Sequence, residues 1–373
     1  MGKVMRALGL MSGTSLDGID VAFLETDGVD AVKRGPAMTF PYASDTRRML
    51  VNALADARAL TDRTARPGSL ADAENALTAQ HAAAVSAFLD KQNIAQNSID
   101  VIGFHGQTVL HKPDSRITIQ IGCGDQLADL TGCRVVYDLR ASDVAAGGQG
   151  APLVPVYHRA LTSALPDRPL AIVNIGGVAN VTWIGADGRL IAFDTGPGNA
   201  LIDDWMIKRG GQAFDEDGHA SSRGRVHDDV VRFYLSHAFF GLPPPKSLDR
   251  NAFFWDLVEG LSIEDGAATL AAFTAGSIAK AREHMPEEPA LWIVSGGGRR
   301  NTTIMSMLAG LVENAVVPAE AVGLNGDSVE AEAWAYLAVR SLKGLPLTFP
   351  GTTGVAAPLT GGIVAEPRSA RPA

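Results

Sequence analysis

Two stretches of the chain begin alike. "LGLMSGTSLDGIDVAFLETDG", from Leu8 to Gly28, and "LAIVNIGGVANVTWIGADGRLIAFDTGPGN", from Leu170 to Asn199, each read as an apolar strand, a glycine turn and a second apolar strand. This recurrence constrains the fold more than any other feature, because a strand-glycine-strand hairpin heading both halves points to two related halves, although their residues differ. A length of 373 residues agrees, being too long for one ordinary core and suited to two domains that bury a cleft.

Between the hairpins, Met49, Leu50, Ala53, Leu54, Ala57 and Leu60 recur at helical spacing, as do Leu70, Ala73, Leu77, Ala84, Val85 and Phe88, so residues 46 to 91 are expected to be helical. "IDVIGFHGQTVLHKP" is a strand running into a polar loop, and "ITIQIGCGDQLADLTGCRVVYDLRASDVAAGG" alternates strand and helix signals. The organisation is α/β. Glycine and proline concentrate in "AAGGQGAPLVP", Ala145 to Pro155, which places the domain crossing there and predicts domains of 1–145 and 146–373. In the second half, residues 211 to 256 read as an elaborated loop, helical periodicity returns at 256 to 284, and "LWIVSGGGRRNTTIMSML" is a strand, three glycines and a helix. "GDSVEAEAWAYLAVRSL" predicts a helix whose start carries a capping box from Asp327 to Glu330, and the tail "EPRSARPA" reads as unstructured.

Composition excludes several classes. Hydrophobic residues at 46% and charged ones at 20% fit a soluble globular protein, and 32 basic against 41 acidic residues, a net charge of −9, argue against nucleic acid or an anionic membrane as partner. The basic pairs Arg47-Arg48 and Arg299-Arg300 read as helix-surface charge. Cys123 and Cys133 lack the C-x-x-C spacing of redox or zinc sites, which suits a reducing compartment. The apolar run after Lys3 and Arg6 is broken at Ser12, Gly13 and Thr14, so no signal peptide is expected, and no stretch approaches the ~20 apolar residues of a membrane span.

Three apolar strands end in glycine turns: Gly13 to Gly18, Gly176-Gly177 and Gly296 to Gly298. Glycine lets backbone approach a ligand and aim successive N–H groups at an anion such as phosphate. "GTSLDGID" has no Lys-Ser/Thr after its second glycine and is no P-loop; "GGGRRN" lacks the third glycine of a dinucleotide fold. Taken singly each is an ordinary turn; together, in a duplicated α/β chain, they point to a nucleotide. The arrangement resembles the actin, sugar kinase and heat-shock ATPase superfamily, with its ribonuclease H-like domains. Within it, "GLMSGTSLDGID", "GFHGQTVLHKP", "DLRASDVAAGGQGAPLVP", "NIGGVANVT", "FDTGPGN", "GGGRRN" and "LPLTFPGTTG" are similar, in the same order, to the motifs of the anhydro-N-acetylmuramic acid kinase family. The resemblance runs from Leu8 to about Gly354.

It implies an ATP- and Mg2+-dependent enzyme that converts 1,6-anhydro-N-acetylmuramic acid and water to N-acetylmuramic acid 6-phosphate in peptidoglycan recycling, cytoplasmic and homodimeric. One carboxylate suffices as base if the γ-phosphoryl group captures the departing sugar oxygen. Asp194 in "AFDTGPGN" matches the family's base; read alone, it is equally an Asp turning its own backbone after a strand. Asn199 looks like the N-cap of a helix over Ala200 to Lys208 that would face sugar hydroxyls beside Gly196. The phosphate stretch carried over from the family is Gly13, Thr14, Ser15, Leu16, Asp17, Gly18, Ile19 and Asp20. Gly176, Gly177 and Asn180 would form the second phosphate hairpin, and Gly296, Gly297, Gly298 and Asn301 the adenosine side, against the alternative of strand-end packing. Many superfamily kinases place an Asp two residues before the first turn glycine, where this chain has Met11. Asp17 is then the candidate metal ligand, or merely an exposed turn carboxylate. For the sugar, the loop His105, Gly106, Gln107 and Thr108 is proposed with Arg140 and Asp143. Arg140 suits the lactyl carboxylate, while an Arg140–Asp143 ion pair that only fixes the loop is the rival reading. His105 with His111, and "FDEDGH", lack the further ligands of a metal site. The rivals to this function are another sugar kinase or phosphohydrolase of the same fold, and a nucleotide-dependent sugar-sensing protein.

Overall fold

A computed structural model describes residues 2–13, 16–326 and 328–368. The chain opens with β1 (Met5–Met11), β2 (Gly18–Thr26) and β3 (Val32–Pro41). The helices α1 (Ser44–Ala57) and α2 (Leu70–Gln92) lead to β4 (Val101–Phe104), to the ribbon β5 (Gln107–Lys112) and β6 (Ile117–Ile121), and to α3 (Gly124–Thr131). Then come β7 (Val135–Tyr137) and the short α4 (Ala141–Ala145) and α5 (Pro155–Leu161). A second series begins with β8 (Leu170–Ile175), β9 (Val178–Ile184), β10 (Leu190–Pro197) and α6 (Ala200–Trp205). It continues through α7 (Asp228–Leu235), α8 (Ile263–Lys280), β11 (Leu291–Ser295), α9 (Thr302–Leu311) and β12 (Ala315–Pro318). The helices α10 (Val329–Leu342) and α11 (Pro350–Thr353) and the strand β13 (Ile363–Ala365) follow.

Two compact units result: the first takes the chain up to Ser163 and again from Ser328, the second the chain between. The first unit's sheet has the order β13-β7-β4-β1-β2-β3, the second's β10-β9-β8-β11-β12. Without β13 the two share one plan. A three-stranded antiparallel meander is extended, on the far side of its first strand, by two parallel strands. This is the ribonuclease H-like order, and it bears out the α/β class and the duplication read from the hairpins.

The division of the chain differs from the expected crossing at residues 145 to 155, because α10 packs on the first unit's sheet. Along β1 the side chains alternate. Leu8 and Leu10 join Val85 and Phe88 of α2 and Leu127 of α3 in one core. On the other face, a Cβ at Gly9 of β1 would collide with the Ala331 backbone, and one at Gly103 of β4 with that of Trp334, so these two glycines admit α10 at close range. Buried Glu332 of α10 accepts from Arg34 Nε (2.8 Å) and Nη2 (2.9 Å), Tyr157 OH (2.7 Å) and Ser328 Oγ (2.8 Å). Such full satisfaction is what lets a carboxylate be buried.

In the second unit, Ala171, Val173 and Ile175 of β8 pack with Leu270, Phe273 and Ile278 of α8, whose start is capped by Ser262 accepting from Asp265 N at 3.0 Å. The region expected to be a loop, 211 to 256, contains α7, and Tyr234 stacks on Phe273 at 4.5 Å. Residues 366 to 368, read as unstructured, are tied by Glu366 to Arg134 and by Arg368 to Asp129. Both cysteines are free thiols, and among the described residues no helix is long and apolar enough to cross a membrane.

Candidate active site

In the first unit the turn after β1 is held from both ends. Buried Ser12 donates its hydroxyl to the Gly106 carbonyl (2.8 Å). Leu16 is left-handed (φ 57°) and sinks its side chain among Leu50, Ala53, Leu70 and Leu77. Leu16 and Ile19, both expected beside phosphate, therefore point into core and leave only backbone for a ligand. Gly18 is a close-approach glycine: a Cβ there would meet the Phe40 carbonyl. Thr14 and Ser15 lie outside the described residues. Asp17 is exposed, and its carbonyl accepts from Tyr42 N (3.0 Å). Asp20 stands directly opposite Met11 in the antiparallel register, so the two share a face of the sheet. A carboxylate therefore stands beside Met11, on the neighbouring strand. Burial raises the Asp20 carboxyl, against a hydrogen bond from Thr39 Oγ1 (2.5 Å).

Ser12 binds this turn to the loop of His105 and Gly106, where Gly106 (φ 68°) lies too close to the Ile121 carbonyl for any Cβ. His105 is buried with its ring 4.5 Å from Trp334, and its Nε2 accepts from Arg140 Nε (3.2 Å). Arg140 also donates from Nη1 to the Gly150 carbonyl (2.8 Å) and lies over Trp334 at 5.0 Å. Burial brings the Arg140 guanidinium down to about 10, opposed by Glu330 and Asp143. Burial, then the Arg140 charge, holds His105 well below its usual value. The imidazole is neutral and, accepting at Nε2, carries its proton on Nδ1. The backbone of Ser12 and Gly106 lies beside the His105 ring and favours its proton, while Gln107 Oε1 and Gln120 Oε1 are buried polar atoms without a partner among the described residues. Thr108 Oγ1 accepts from Gln120 Nε2 (3.2 Å).

Asp143 differs from both readings of it. It is buried, accepts from Gly150 N (2.6 Å) and Thr353 Oγ1 (2.6 Å), and makes no ion pair with Arg140. Its oxygens are committed to fixing the glycine-rich loop and α11. Glu330 was expected to belong to a capping box. Asp327 lies outside the described residues; the N-cap position is Ser328, and Glu330 is the second residue of α10. Glu330 is exposed to solvent at its surface, yet the protein packed around it raises its carboxyl, Arg140 opposes this, and the Asp20 charge adds to the rise.

The second unit gathers its turns at the ends of β8 and β11. Asn199 N donates to the Gly176 carbonyl (2.7 Å), Gly198 N to that of Gly177 (2.9 Å), and Asn199 Nδ2 to Ile175 O (3.2 Å). A Cβ at Gly298 would strike Ile175, and one at Gly296 (φ 74°) Asn174. At Gly176, Gly177 and Gly297 it would meet only ordinary contacts. Asn199 thus occupies the N-cap position of α6 without a side-chain cap, because its amide reaches back to β8, and the helical backbone runs past Lys208, with α6 followed by a π-turn over Met206–Gly210. Asn301 Oδ1 accepts from Thr303 N and Ile304 N (both 3.1 Å), so it caps α9. Gly196 is buried, and a Cβ there would meet Ser277 and Phe240.

Asp194 lies in β10, paired with Asn180 of β9, which pairs in turn with Asn174 of β8. The three form a polar row on one face. Asn180, in the second strand of the hairpin, therefore stands directly beside Asp194. Asp194 Oδ2 accepts from Leu248 N (2.7 Å), and Asp194 N donates to Lys246 O (3.0 Å). Burial raises this carboxyl to about 6, against the Leu248 N–H. The sequence reading missed Glu330, Trp334, Asn174 and the 246–248 segment. Only the first strand's alternation had a signal to offer, since Asn174 precedes the glycine turn by two residues; nothing local marks the others.

The family model for anhydro-N-acetylmuramic acid kinase matches residues 5–366. Two curated relatives of that name, from Rhizobium etli and Azorhizobium caulinodans, are 53% identical over 370 residues and 54% over 369. The alignments cover 98% and 97% of this chain and all of each relative. Among solved structures, component A of (R)-2-hydroxyglutaryl-CoA dehydratase from Acidaminococcus fermentans has a TM-score of 0.48 at 11% identity, over 91% of this chain and 99% of that one.

Proposed function

We propose, from the premise that this chain belongs to the anhydro-N-acetylmuramic acid kinase family, that it opens the bridge of 1,6-anhydro-N-acetylmuramic acid with water and phosphorylates the oxygen released. The observation that carries the reading is Asp194: a carboxylate raised by burial to about 6, with Oδ2 held by Leu248 N–H and no partner for Oδ1 among the described residues. A general base works best with its pKa close to the working pH and one oxygen free. Asp194 takes a proton from water, whose oxygen bonds to the anomeric carbon as that carbon's bond to the sixth oxygen breaks. The released oxygen bonds to the γ-phosphorus as the bond to ADP breaks, and the proton passes from Asp194 to solvent. The product is N-acetylmuramic acid 6-phosphate.

In this reading the first unit's Gly13 to Asp20 turn and the second unit's Gly176-Gly177 turn serve ATP phosphates, with Gly296 to Gly298 at adenosine. Arg140 meets the lactyl carboxylate, with Gln107 Oε1 available to the sugar. Magnesium is commonly held by one or two carboxylates together with phosphates and water, and Asp20 and Glu330, coupled in charge, fit that donor set. When bound, the ion neutralises phosphate charge. A cytoplasmic homodimer is part of the same reading; light scattering tests the dimer.

The test is turnover with ATP and magnesium in ¹⁸O water, followed by mass spectrometry. Label at the anomeric hydroxyl and phosphate on the sixth oxygen are expected. Phosphorylated sugar without label would instead identify a plain sugar kinase, and phosphate release without a sugar product a phosphohydrolase.

A further inference from the structure

Every hydrogen bond that Asp194 receives or gives through the 246–248 segment depends on where that segment lies, and the segment has no regular structure of its own. Its anchor is Lys246. The ammonium donates to the carbonyls of Phe239 (3.1 Å) and Phe240 (3.3 Å) and lies 3.1 Å from His284 Nε2. It also lies over the rings of Phe239 (4.7 Å) and Phe193 (5.6 Å), and Phe193 immediately precedes Asp194 in β10. His284 meets the same Phe193 ring edge-on at 5.7 Å.

We infer that Lys246 is a positioning residue for the base: its ammonium, caged by two carbonyls, His284 and two aromatic faces, fixes the segment that aims Asp194. The inference rests on the reading of Asp194 as base. A lysine on the surface needs no such cage. Here the head group is partly withdrawn from water and donates inward to two carbonyls, an arrangement that holds a loop at one place. Three further charged or titratable groups face it: His284, Glu283, which favours its charge, and Lys280 from the end of α8, which opposes it. Burial, the largest influence, brings the ammonium down to about 8, in keeping with the enclosed geometry. His284 Nε2 also lies 2.7 Å from the Phe240 carbonyl. It serves one neighbour at a time: protonated it donates to that carbonyl, and unprotonated it accepts from Lys246.

The consequence reaches Asp194 through Leu248. That N–H lowers the Asp194 carboxyl against the rise from burial, so releasing the segment should move the acidic limb of activity upward. Lys246→Met keeps the length of the side chain and removes the ammonium. We expect its kcat to fall about tenfold or more with KM for ATP changed less than about twofold, and the acidic limb of kcat/KM to rise by about half a pH unit or more. Lys246→Arg, which keeps a cation and donors, should recover part of both. A folded Lys246→Met with an unmoved limb and kcat within about twofold of wild type overturns the inference. If Lys246→Met does not fold, His284→Gln carries the same measurement: a raised limb supports the positioning role and an unmoved one overturns it. Asp194→Asn separates the two readings. Activity retained in Asp194→Asn removes the base itself; activity lost there, with the Lys246→Met limb unmoved, removes only the role of Lys246.

Discussion

The turns after β1 and after β8 occupy the same place in two sheets of the same strand order, yet they are built in opposite ways. The first is long and plugged, with Leu16 buried under it, Ser12 bonded to Gly106, and the carboxylates of Asp20 and Glu330 at its flank. The second is short and bare: Gly176 and Gly177 would take a Cβ with only ordinary contacts, and neither has a left-handed backbone. Glycine at the second turn is therefore not demanded by the fold. Duplication has kept the scaffold, and on the proposed reading the labour is divided, with charge supplied by the first unit and bare backbone together with the base by the second.

The largest effect should come from the base. Asp194→Asn is expected to cost about a thousandfold in kcat, measured by coupled ADP release; a similar loss in Asp20→Asn with Asp194→Asn active would invert the division. The same variant has a stability signature. The Asp194 carboxyl titrates near 6 against a usual 3.8. The folded protein therefore binds a proton more tightly than the unfolded chain between those values, and stability falls as pH rises through them. Calorimetry should find Asp194→Asn more heat-stable than wild type at pH 8 and no better at pH 3.5.

Next in size, Asp20→Asn and Glu330→Gln should each raise the magnesium concentration for half-maximal rate by about tenfold or more. A response from Asp17→Asn alone would return the metal to the turn. Leu16→Ala should then lower unfolding stability by about 2–5 kcal/mol, read by denaturant titration. Gly177→Ala should change stability by less than about 0.5 kcal/mol while raising the KM for ATP several-fold. Equal and small KM effects of Gly177→Ala and wild type would mean that the bare turn meets no phosphate.

Much of this was legible because strand alternation and glycine punctuation are local signals. Leu8 and Leu10 announce a buried face, and the same strand-glycine-strand sequence announces the second sheet. What was not legible is long-range. The period of α10 says helix but not which sheet it covers, and the small residues that settle the matter, Gly9 and Gly103, look like any strand glycine. Asp194 was found by motif and its partner Leu248 was not, because a backbone N–H leaves no mark on residue type. Asn199 and Asn301 show the converse: the same residue type caps a helix in one place and reaches back to a strand in the other, according to which carbonyl or N–H lies in range.

The return of the chain from Ser328 into the first unit has a bearing on synthesis. A ribosome delivers residues 1–163 without α10, so the face of the first sheet that Gly9 and Gly103 keep open stays uncovered, and Arg34 lacks its Glu332. The contiguous second unit is complete sooner. The order of folding during translation is therefore expected to run against the order of the sequence, with the earlier-made half waiting for a helix made after its neighbour is finished.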